Sequence, residues 1–169
     1  STSVKDKNIA DLGGKPVLWY SVTEALKSKY ADAICVSTDS SKYAEIAEEA
    51  GVKVPFLRAA EHSTKNSTAA AASSWTTLEY EKHSGETYDY IVDFMNSNPF
   101  KTVEDLDNCI EMLHQNKQSD TVVAVTRVWD GHPDRIKQIK NGELQDWPGT
   151  KEKLESLRQE LTPEAYIRC

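Results

Sequence analysis

The stretch Lys53-Val54-Pro55-Phe56-Leu57-Arg58-Ala59-Ala60-Glu61 decides the fold, because it sets an arginine directly after a short apolar strand. An earlier apolar run ends in a similar way, at Val36-Ser37-Thr38-Asp39. Ligands of open α/β sheets bind beyond the carboxyl ends of the strands. The two stretches therefore predict an α/β protein with Arg58 at the binding edge of its sheet, where a guanidinium can bind a phosphate or a base.

Helical and extended patterns alternate through most of the chain. Apolar or alanine-rich helical patterns cover residues 16–29, 40–50, 68–82 and 103–116. Short runs rich in apolar residues lie between and after them, at 33–37, 52–57, 88–94 and 120–126. Strands alternating with helices of this length predict a Rossmann-like, mostly parallel, doubly wound sheet.

The composition narrows the class of protein. A chain of 169 residues is long enough to bury a proper core, and we expect residues 1–169 to form a single domain. It carries 27 acidic and 20 basic residues, a net charge of −7, which argues against a nucleic-acid partner. The sequence has no membrane-spanning apolar run and no N-terminal signal pattern, so we expect no membrane association and a cytoplasmic location.

The alternation weakens over residues 128–150. Gly131-His132-Pro133 is a turn, Ile136 and Ile139 indicate a short strand, and Asn141-Gly142 is a hairpin turn signal. This segment therefore predicts an excursion from the sheet.

Arg58, Lys7 and Asn8 are the candidate nucleotide-binding residues. Arg58 can present a planar fork to a phosphate or a base edge, and the alternative is an ion pair with Glu61. Lys7 and Asn8 precede the first helix, where phosphates meet backbone amides, and a lysine supplies a point charge for a triphosphate. The alternative for Lys7 is a solvated loop lysine.

Asp93 is the candidate magnesium ligand, because it lies at the end of a run predicted to be a buried strand. Magnesium is commonly bound through one or two carboxylates together with substrate phosphates. The alternatives for Asp93 are helix capping and an ion pair with Lys101. The histidines show no metal-ligand spacing, which argues against a zinc site, and His132 beside Pro133 is interpreted as structural.

Five motifs in order resemble the acylneuraminate cytidylyltransferases, the family of the CMP-sialic acid synthetases. They are Lys7-Asn8-Ile9 with Gly14-Lys15-Pro16, Val36-Ser37-Thr38-Asp39, Val54-Pro55-Phe56-Leu57-Arg58, Pro99-Phe100-Lys101-Thr102-Val103-Glu104-Asp105, and Arg158-Gln159-Glu160-Leu161. The resemblance implies the nucleotide-diphospho-sugar transferase type of α/β fold, with residues 128–150 as a dimerisation excursion and a homodimer as the assembly. Trp129 and Trp147 can anchor that interface, and packing on the parent sheet is the alternative.

The resemblance also implies an activity, the transfer of CMP from CTP to a 2-keto sugar acid with release of pyrophosphate and with Mg²⁺ as cofactor. The sugar acid is a sialic acid or a related nonulosonic acid, for lipopolysaccharide or capsule biosynthesis. Matching positions assign Lys7 and Asn8 to the triphosphate, Arg58, Ser67 and Thr68 to the cytidine end, Ser97 and Asn98 to the sugar side, and Arg158 with Gln159 to the sugar carboxylate. By the same resemblance, Lys7, Ser97 and Asn98 are the candidate catalytic residues.

Several positions depart from the family pattern. Thr2 stands where a phosphate-binding lysine is usual, and Met95-Asn96-Ser97-Asn98-Pro99 replaces the usual Gln-Pro-Thr-Ser-Pro. The family's opening strand would lie before Ser1, and a further strand with metal-binding acidic residues would follow Cys169, so we expect the first strand and the C-terminal part to be lacking here. The alternatives are a catalytically weak or truncated relative acting as a nucleotide-binding or dimerisation module, and another nucleotide-sugar enzyme of the same fold, such as a glycosyltransferase, which would prefer uridine.

Overall fold

The computed structural model describes residues 5–64, 67–128, 131–148 and 164–168. The chain divides into two compact units, residues 1–122 and residues 123–169. We call them the first unit and the second unit. The second unit begins close to the excursion that the sequence predicts at 128–150.

Helices dominate the described part of the first unit. They are α1 (Val17–Ala25), α2 (Ser41–Glu49), α3 (Ala69–Ser84) and α4 (Val103–Gln115). A small antiparallel ladder, β1 (Asp11–Leu12) with β2 (Lys15–Pro16), precedes α1, and short 3-10 helices lie at Lys7–Ile9 and Ala60–His62. The helices fall where the sequence predicts them, although α1 ends earlier than expected. None of the helices in the described ranges combines the length and the apolar character needed to cross a membrane.

Local sequence signals fix the ends of α3 and α4. Thr68 is the N-cap of α3, and its side chain accepts a hydrogen bond from the Ala71 N–H at 3.2 Å. The helix ends at Gly85, whose φ of +75° is a left-handed conformation that glycine adopts without strain. α4 begins with a capping box, in which Thr102 and Asp105 each accept the other's backbone N–H. These caps hold the chain before each helix in a defined path.

The core of the first unit lies where α1 and α2 pack against segments 33–37 and 52–57. Leu18 of α1 is 1% exposed and Ala47 of α2 is fully buried. The other residues of the cluster and the half-buried side chains around it are Val22, Ala50, Val52, Trp19, Ile34, Val36, Ile46 and Val54. Burial of apolar side chains from both segments therefore holds them against the two helices.

Segments 33–37, 52–57 and 88–94, predicted as parallel strands, carry no ladder in the described part of the molecule. One backbone hydrogen bond joins the residues that directly follow the first two segments, since the Arg58 N–H donates to the Thr38 carbonyl oxygen at 2.7 Å. A cavity of about 430 Å³ is lined by residues of both segment 33–37 and segment 88–94. The alternation of helices with linking segments is thus confirmed, whereas the doubly wound sheet stays a prediction.

Segment 88–94 is open to solvent. Ile91 is 60% exposed and Val92 is 45% exposed, and Asp93 is also exposed. The prediction that Asp93 ends a buried strand is therefore wrong. An apolar run becomes a buried strand only where layers cover both of its faces, and here the segment borders the cavity.

The described part of the second unit contains two antiparallel ladders. Its strands are β3 (Val125–Arg127), β4 (Lys137–Lys140), β5 (Glu143–Asp146) and β6 (Tyr166–Arg168). β3 pairs with β6, and β4 pairs with β5 through a turn with Asn141 at φ +55° and Gly142 at φ +83°. These angles are those of a type I′ hairpin turn. The short strand at Ile139 and the hairpin turn are confirmed, whereas the strand predicted at 120–126 is shorter and lies at β3.

His132 has a structural role in the second unit. Its Nδ1 accepts a hydrogen bond from the Asp134 N–H at 3.2 Å, which caps a 3-10 helix at Pro133–Arg135. The side chain is buried. The interpretation of His132 as structural is confirmed.

Candidate functional site

The cavity of the first unit has an apolar wall and several polar groups. Segments 33–37 and 87–96 line two of its sides, and α3 lines a third. The polar side chains that line it include those of Ser37, Ser73, Thr76, Asp93 and Asn96. Its volume of about 430 Å³ lies within the usual range of small-molecule pockets, roughly 300–1,000 Å³.

Arg58 is held beside this cavity by its backbone and its side chain. The backbone N–H donates to the Thr38 carbonyl oxygen at 2.7 Å, which fixes the point where segment 52–57 ends. The guanidinium donates from Nη1 to Ser37 Oγ and from Nε to Ser63 Oγ, both at 3.1 Å. Arg58 is half-buried. The predicted position of Arg58 at the end of its segment is therefore a constrained one.

The two hydroxyls that hold Arg58 have partners of their own. Ser37 Oγ lies 2.6 Å from Thr76 Oγ1 on α3, and Ser63 Oγ donates to the Ala59 carbonyl oxygen at 3.1 Å. Thr76 is 8% exposed and donates to the Ala72 carbonyl oxygen at 2.8 Å. Hydrogen bonds thus link the Arg58 guanidinium to α3 through Ser37, and to the loop that precedes α3 through Ser63.

The guanidinium retains donors for a ligand. Arginine carries more N–H groups than its two side-chain bonds use. The alternative interpretation, an ion pair with Glu61, does not occur among the described residues, where the Glu61 carboxylate instead lies 3.4 Å from His62 Nε2. The remaining N–H groups suit phosphate oxygens, or the acceptor atoms on the edge of a pyrimidine.

Ser67 and Thr68 belong to the loop that also carries Ser63. The hydroxyls of Ser67 and Thr64 lie 2.9 Å apart, and the Ser67 N–H donates to the Thr64 carbonyl oxygen. Thr68 uses its oxygen as the N-cap of α3. Their predicted contact with cytidine stays a prediction, but the structure places both residues on the loop that holds Arg58.

Lys7 and Asn8 lie in the 3-10 helix before β1 and are half-buried. Tyr43 of α2 fixes the start of this helix by donating to Asp6 Oδ1 at 3.0 Å. Among the described residues no hydrogen bond joins Lys7 or Asn8 to Arg58. Their contact with a triphosphate therefore stays a prediction.

Asp93 lines the cavity, and Ser97 and Asn98 follow it along the chain before α4 begins. Ser73 Oγ of α3 donates to Asp93 Oδ2 at 3.4 Å. Ser97 is exposed and Asn98 is half-buried. Lys101 donates to the Met95 carbonyl oxygen at 2.7 Å and stands 4.2 Å from the centre of the Phe94 ring, which fixes this turn.

Two of the predicted sugar-binding residues, Arg158 and Gln159, lie outside the described residues. Trp129 of the predicted excursion also lies outside them. Within the described ranges no group of three or more His, Cys, Asp or Glu side chains is arranged to hold a metal ion. Asp93 therefore offers a single carboxylate, with the Ser73 hydroxyl beside it.

Thr76 and Ser63 contribute to the site but were missed as candidate residues. A threonine inside the alanine- and serine-rich face of α3 is the only available signal for Thr76. Ser63 lies in a polar loop, where serines are common. Ser37 belongs to a motif quoted from the sequence, but its bond to Arg58 depends on how two distant segments meet.

Cys35 lines the cavity next to these polar groups. Burial raises the pKa of its thiol to about 11. The thiolate, which is the reactive form, is therefore scarce near neutral pH. Cys35 acts as a small apolar residue of the cavity wall.

Comparison with known proteins places these features in a family. The family model described as "Cytidylyltransferase" matches residues 1–133. This range contains Lys7, Asn8, Arg58 and the whole cavity lining. The family implies the α/β fold of nucleotidyltransferases, in agreement with the alternating pattern of the chain.

Curated relatives are similar over most of the chain. A pseudaminic acid cytidylyltransferase of Campylobacter jejuni is 31% identical over 126 residues, which cover 75% of this chain and 53% of the relative. A 3-deoxy-manno-octulosonate cytidylyltransferase of Francisella tularensis is 27% identical over 143 residues, 82% of this chain and 54% of the relative.

A shorter match joins the chain to a third relative. A CMP-N,N'-diacetyllegionaminic acid synthase of Legionella pneumophila is 37% identical over 67 residues, 40% of this chain and 29% of the relative. The chain spans about half the length of the first two relatives. With a family match over residues 1–133 and an arginine fixed beside the cavity, this chain belongs to the cytidylyltransferase family.

Proposed function

We propose that this protein transfers CMP from CTP to the anomeric hydroxyl of a sugar acid. The sugar oxygen forms a bond to the α-phosphorus, the bond between the α-phosphorus and the bridging oxygen breaks, and pyrophosphate leaves. The hydroxyl proton passes to solvent or to a neighbouring base. The observation that carries this proposal is the Arg58 fork, fixed by two hydroxyls beside a cavity in a chain of the cytidylyltransferase family.

Arg58 has the strongest structural support among the proposed binding residues. Its guanidinium is ordered before a ligand arrives, so less conformational entropy is lost on binding. Ser67 and Thr68, on the same loop, would line the cytidine end with it. Lys7 and Asn8 would contact the triphosphate, where a lysine neutralises charge that develops on the leaving phosphates.

Ser97 and Asn98 are proposed for the sugar side, together with Arg158 and Gln159 for the sugar carboxylate. Ser97 follows the cavity-lining segment that ends at Asn96 and has an exposed side chain. An arginine suits a carboxylate because its planar fork gives two parallel hydrogen bonds. We assign the sugar to the 2-keto acids of the sialic and nonulosonic type, because two relatives are named for pseudaminic and diacetyllegionaminic acid.

Magnesium is the proposed cofactor. Asp93 with the neighbouring Ser73 hydroxyl offers only part of a coordination shell, which fits an ion bound mainly through triphosphate oxygens and water. When bound, the ion would neutralise charge on the phosphates and orient them. Asp93 would then serve to place the metal–nucleotide pair at the cavity rim.

The doubly wound parallel sheet is our proposal for the arrangement of the strand segments. The Arg58–Thr38 backbone bond and the packing of both segments on α1 and α2 support neighbouring positions for segments 33–37 and 52–57. Segment 88–94 would lie across the cavity from segment 33–37. The same proposal treats residues 1–169 as one nucleotidyltransferase domain, with 128–150 as its excursion.

A homodimer through the β4–β5 hairpin is also proposed. Ile139 and Leu144 face each other across the ladder and are 78% and 72% exposed. Lys137 and Asp146 form an ion pair on the same face of the hairpin. An exposed apolar pair beside an ion pair is the composition of an interface with a second copy.

We place the protein in the cytoplasm, where CTP is made.

Titration with nucleotides tests the proposed function. CTP, UTP, ATP and GTP are each added with Mg²⁺ while thermal unfolding is followed, because a ligand of the native state stabilises it by about 2.7 kcal/mol at a hundredfold excess over Kd. We expect CTP to raise the unfolding temperature most, and pyrophosphate release to follow with a 2-keto sugar acid. A UTP preference would indicate another nucleotide-sugar enzyme. Binding of CTP without pyrophosphate release would indicate a nucleotide-binding module.

A further inference from the structure

We infer that Ser37 and Thr76 are positioning residues, which orient the Arg58 guanidinium for the nucleotide through a directed chain of hydrogen bonds. This inference rests on the proposed function for its ligand. The hydrogen-bond chain itself is seen in the structure. Arg58 Nη1 lies 3.1 Å from Ser37 Oγ, and Ser37 Oγ lies 2.6 Å from Thr76 Oγ1.

The donors in this chain can be assigned by counting hydrogens. Each hydroxyl carries one hydrogen. Thr76 gives its hydrogen to the Ala72 carbonyl oxygen at 2.8 Å, so Ser37 must donate to Thr76 Oγ1. Ser37 Oγ then has only lone pairs left for Arg58, which is the polarity a guanidinium needs. Each hydrogen of this hydrogen-bond chain therefore points away from Arg58 and toward the backbone of α3.

Ser63 shows the same polarity on the other side of the guanidinium. It donates to the Ala59 carbonyl oxygen at 3.1 Å and accepts from Arg58 Nε at 3.1 Å. The two acceptors therefore fix the plane of the fork from two directions. Donor chains of this kind strengthen each bond by polarisation.

The anchor of the chain is buried and belongs to a helix. Thr76 is 8% exposed, whereas Ser37 is exposed at the end of its segment. The position of Arg58 is thus set by α3, which also lines the cavity. An arginine side chain loses rotamer freedom when it is fixed, and the hydrogen bonds to Ser37 and Ser63 impose that loss before a nucleotide binds.

The test uses the full polypeptide and two independent measurements, the rate of Arg58 modification and the affinity for CTP. The variants are Ser37→Ala, Thr76→Val and the conservative Thr76→Ser. Thr77→Val is the matched control, because Thr77 lies on the same helix and bonds the Ser73 carbonyl oxygen at 3.0 Å but has no part in the chain. The first measurement is the rate at which phenylglyoxal modifies Arg58, followed by peptide mapping without any nucleotide.

The expected results separate positioning from general damage. Ser37→Ala and Thr76→Val should accelerate modification of Arg58 several-fold, while Thr76→Ser and Thr77→Val should leave it near the wild-type rate. Loss of a hydrogen bond to a charged group predicts roughly tenfold weaker CTP binding in the first two variants. In an Arg58→Lys background, Ser37→Ala should weaken CTP binding no further, because the two act through one interaction.

The outcomes distinguish this inference from the proposed function. Unchanged modification of Arg58 in Ser37→Ala and Thr76→Val, or equal acceleration in Thr77→Val, overturns the inference whatever CTP does. Ser37→Ala and Thr76→Val could instead accelerate modification of Arg58 while the wild-type protein responds to no nucleotide. That result supports the hydrogen-bond chain and overturns the proposed function.

Discussion

The Arg58 N–H donates to the Thr38 carbonyl oxygen at 2.7 Å. This bond joins the ends of two segments that pack on α1 and α2, and it brings the guanidinium within reach of Ser37. A main-chain bond therefore sets the origin of the side chain, and two hydroxyls set its direction. Together they fix the position of Arg58 beside the cavity.

Arg58→Lys should weaken nucleotide binding although it keeps the positive charge. A lysine has one nitrogen with three donors, so it lacks the planar fork that bonds Ser37 and Ser63 from two nitrogens and keeps further N–H groups for a ligand. We expect the CTP-dependent rise in unfolding temperature to shrink, with a roughly tenfold to hundredfold weaker Kd, corresponding to about 1.4–2.8 kcal/mol. Calorimetric or thermal-shift titration with CTP measures this.

The control for that variant is Lys53→Arg, at an exposed position of the same segment. It should bind CTP as the wild type does. Equal CTP affinity in Arg58→Lys and wild type would show that charge alone, and not the fork, is used.

Cys35 should resist alkylation near neutral pH. Burial raises the pKa of its thiol to about 11, so the thiolate fraction is small at pH 8. Below that pKa the rate of modification by iodoacetamide should rise about tenfold for each pH unit. Peptide mapping by mass spectrometry gives the rate, with a small thiol peptide as reference. Modification of Cys35 at pH 8 as fast as that of the peptide would contradict the prediction.

Glu111→Gln should destabilise the protein at neutral pH but not in acid. The Tyr30 hydroxyl and the Lys29 ammonium both donate to Glu111, and they lower the pKa of its carboxyl, with the Tyr30 bond the larger cause. A carboxyl with a lowered pKa stabilises the fold above its unfolded pKa, about 4.3. That stability is lost as the pH falls through the folded pKa.

Urea unfolding at pH 7 and at pH 3 measures the effect. We expect the midpoint of Glu111→Gln to lie below that of the wild type at pH 7 and to meet it in acid. Glu45→Gln, on the exposed face of α2, is the control and should show no such difference. A deficit of equal size at both pH values would exclude the ionised carboxylate as the cause.

Leu18→Ala should be strongly destabilising. Leu18 is 1% exposed at the centre of the cluster between α1 and α2, so truncation leaves a cavity and costs about 2–5 kcal/mol. The same substitution at Leu78, which is 56% exposed on α3, should change stability by about 0.5 kcal/mol or less. Equal losses in chemical denaturation at the two positions would place the core elsewhere.

Leu144→Glu should disrupt the proposed homodimer. Leu144 faces Ile139 across the hairpin, and both are largely exposed in the single chain. Light scattering should report a monomer for this variant and a dimer for Gln145→Glu, which introduces the same charge at the next residue of β5. A monomer for the unmodified protein, or a dimer for Leu144→Glu, would contradict the proposed interface.

Local signals of the sequence predicted the elements whose causes are local. The periodicity of α1 to α4 and the Asn141-Gly142 turn each depend on a few neighbouring residues. The position of Arg58 after its segment was predicted for the same reason. Thr102 and Asp105 formed a readable capping box that was missed.

Burial and side-chain partners depend on distant parts of the chain and were predicted less well. The apolar run at 88–94 indicates a preference for the interior, but Ile91 is 60% exposed because no layer covers that face among the described residues. The contact between Ser37 and Thr76 joins residues 39 positions apart. No spacing rule within one element predicts such a pair.

The cavity between segments 33–37 and 88–94 has a further consequence for how the molecule meets other chains. Within the described residues neither segment makes a backbone–backbone hydrogen bond, so amide and carbonyl groups on both sides remain unpaired by main chain. Such edges accept any extended polypeptide, since main-chain bonds do not discriminate between side chains. Together with exposed Ile91 and Val92, they give this part of the first unit the features of an aggregation-prone strand edge.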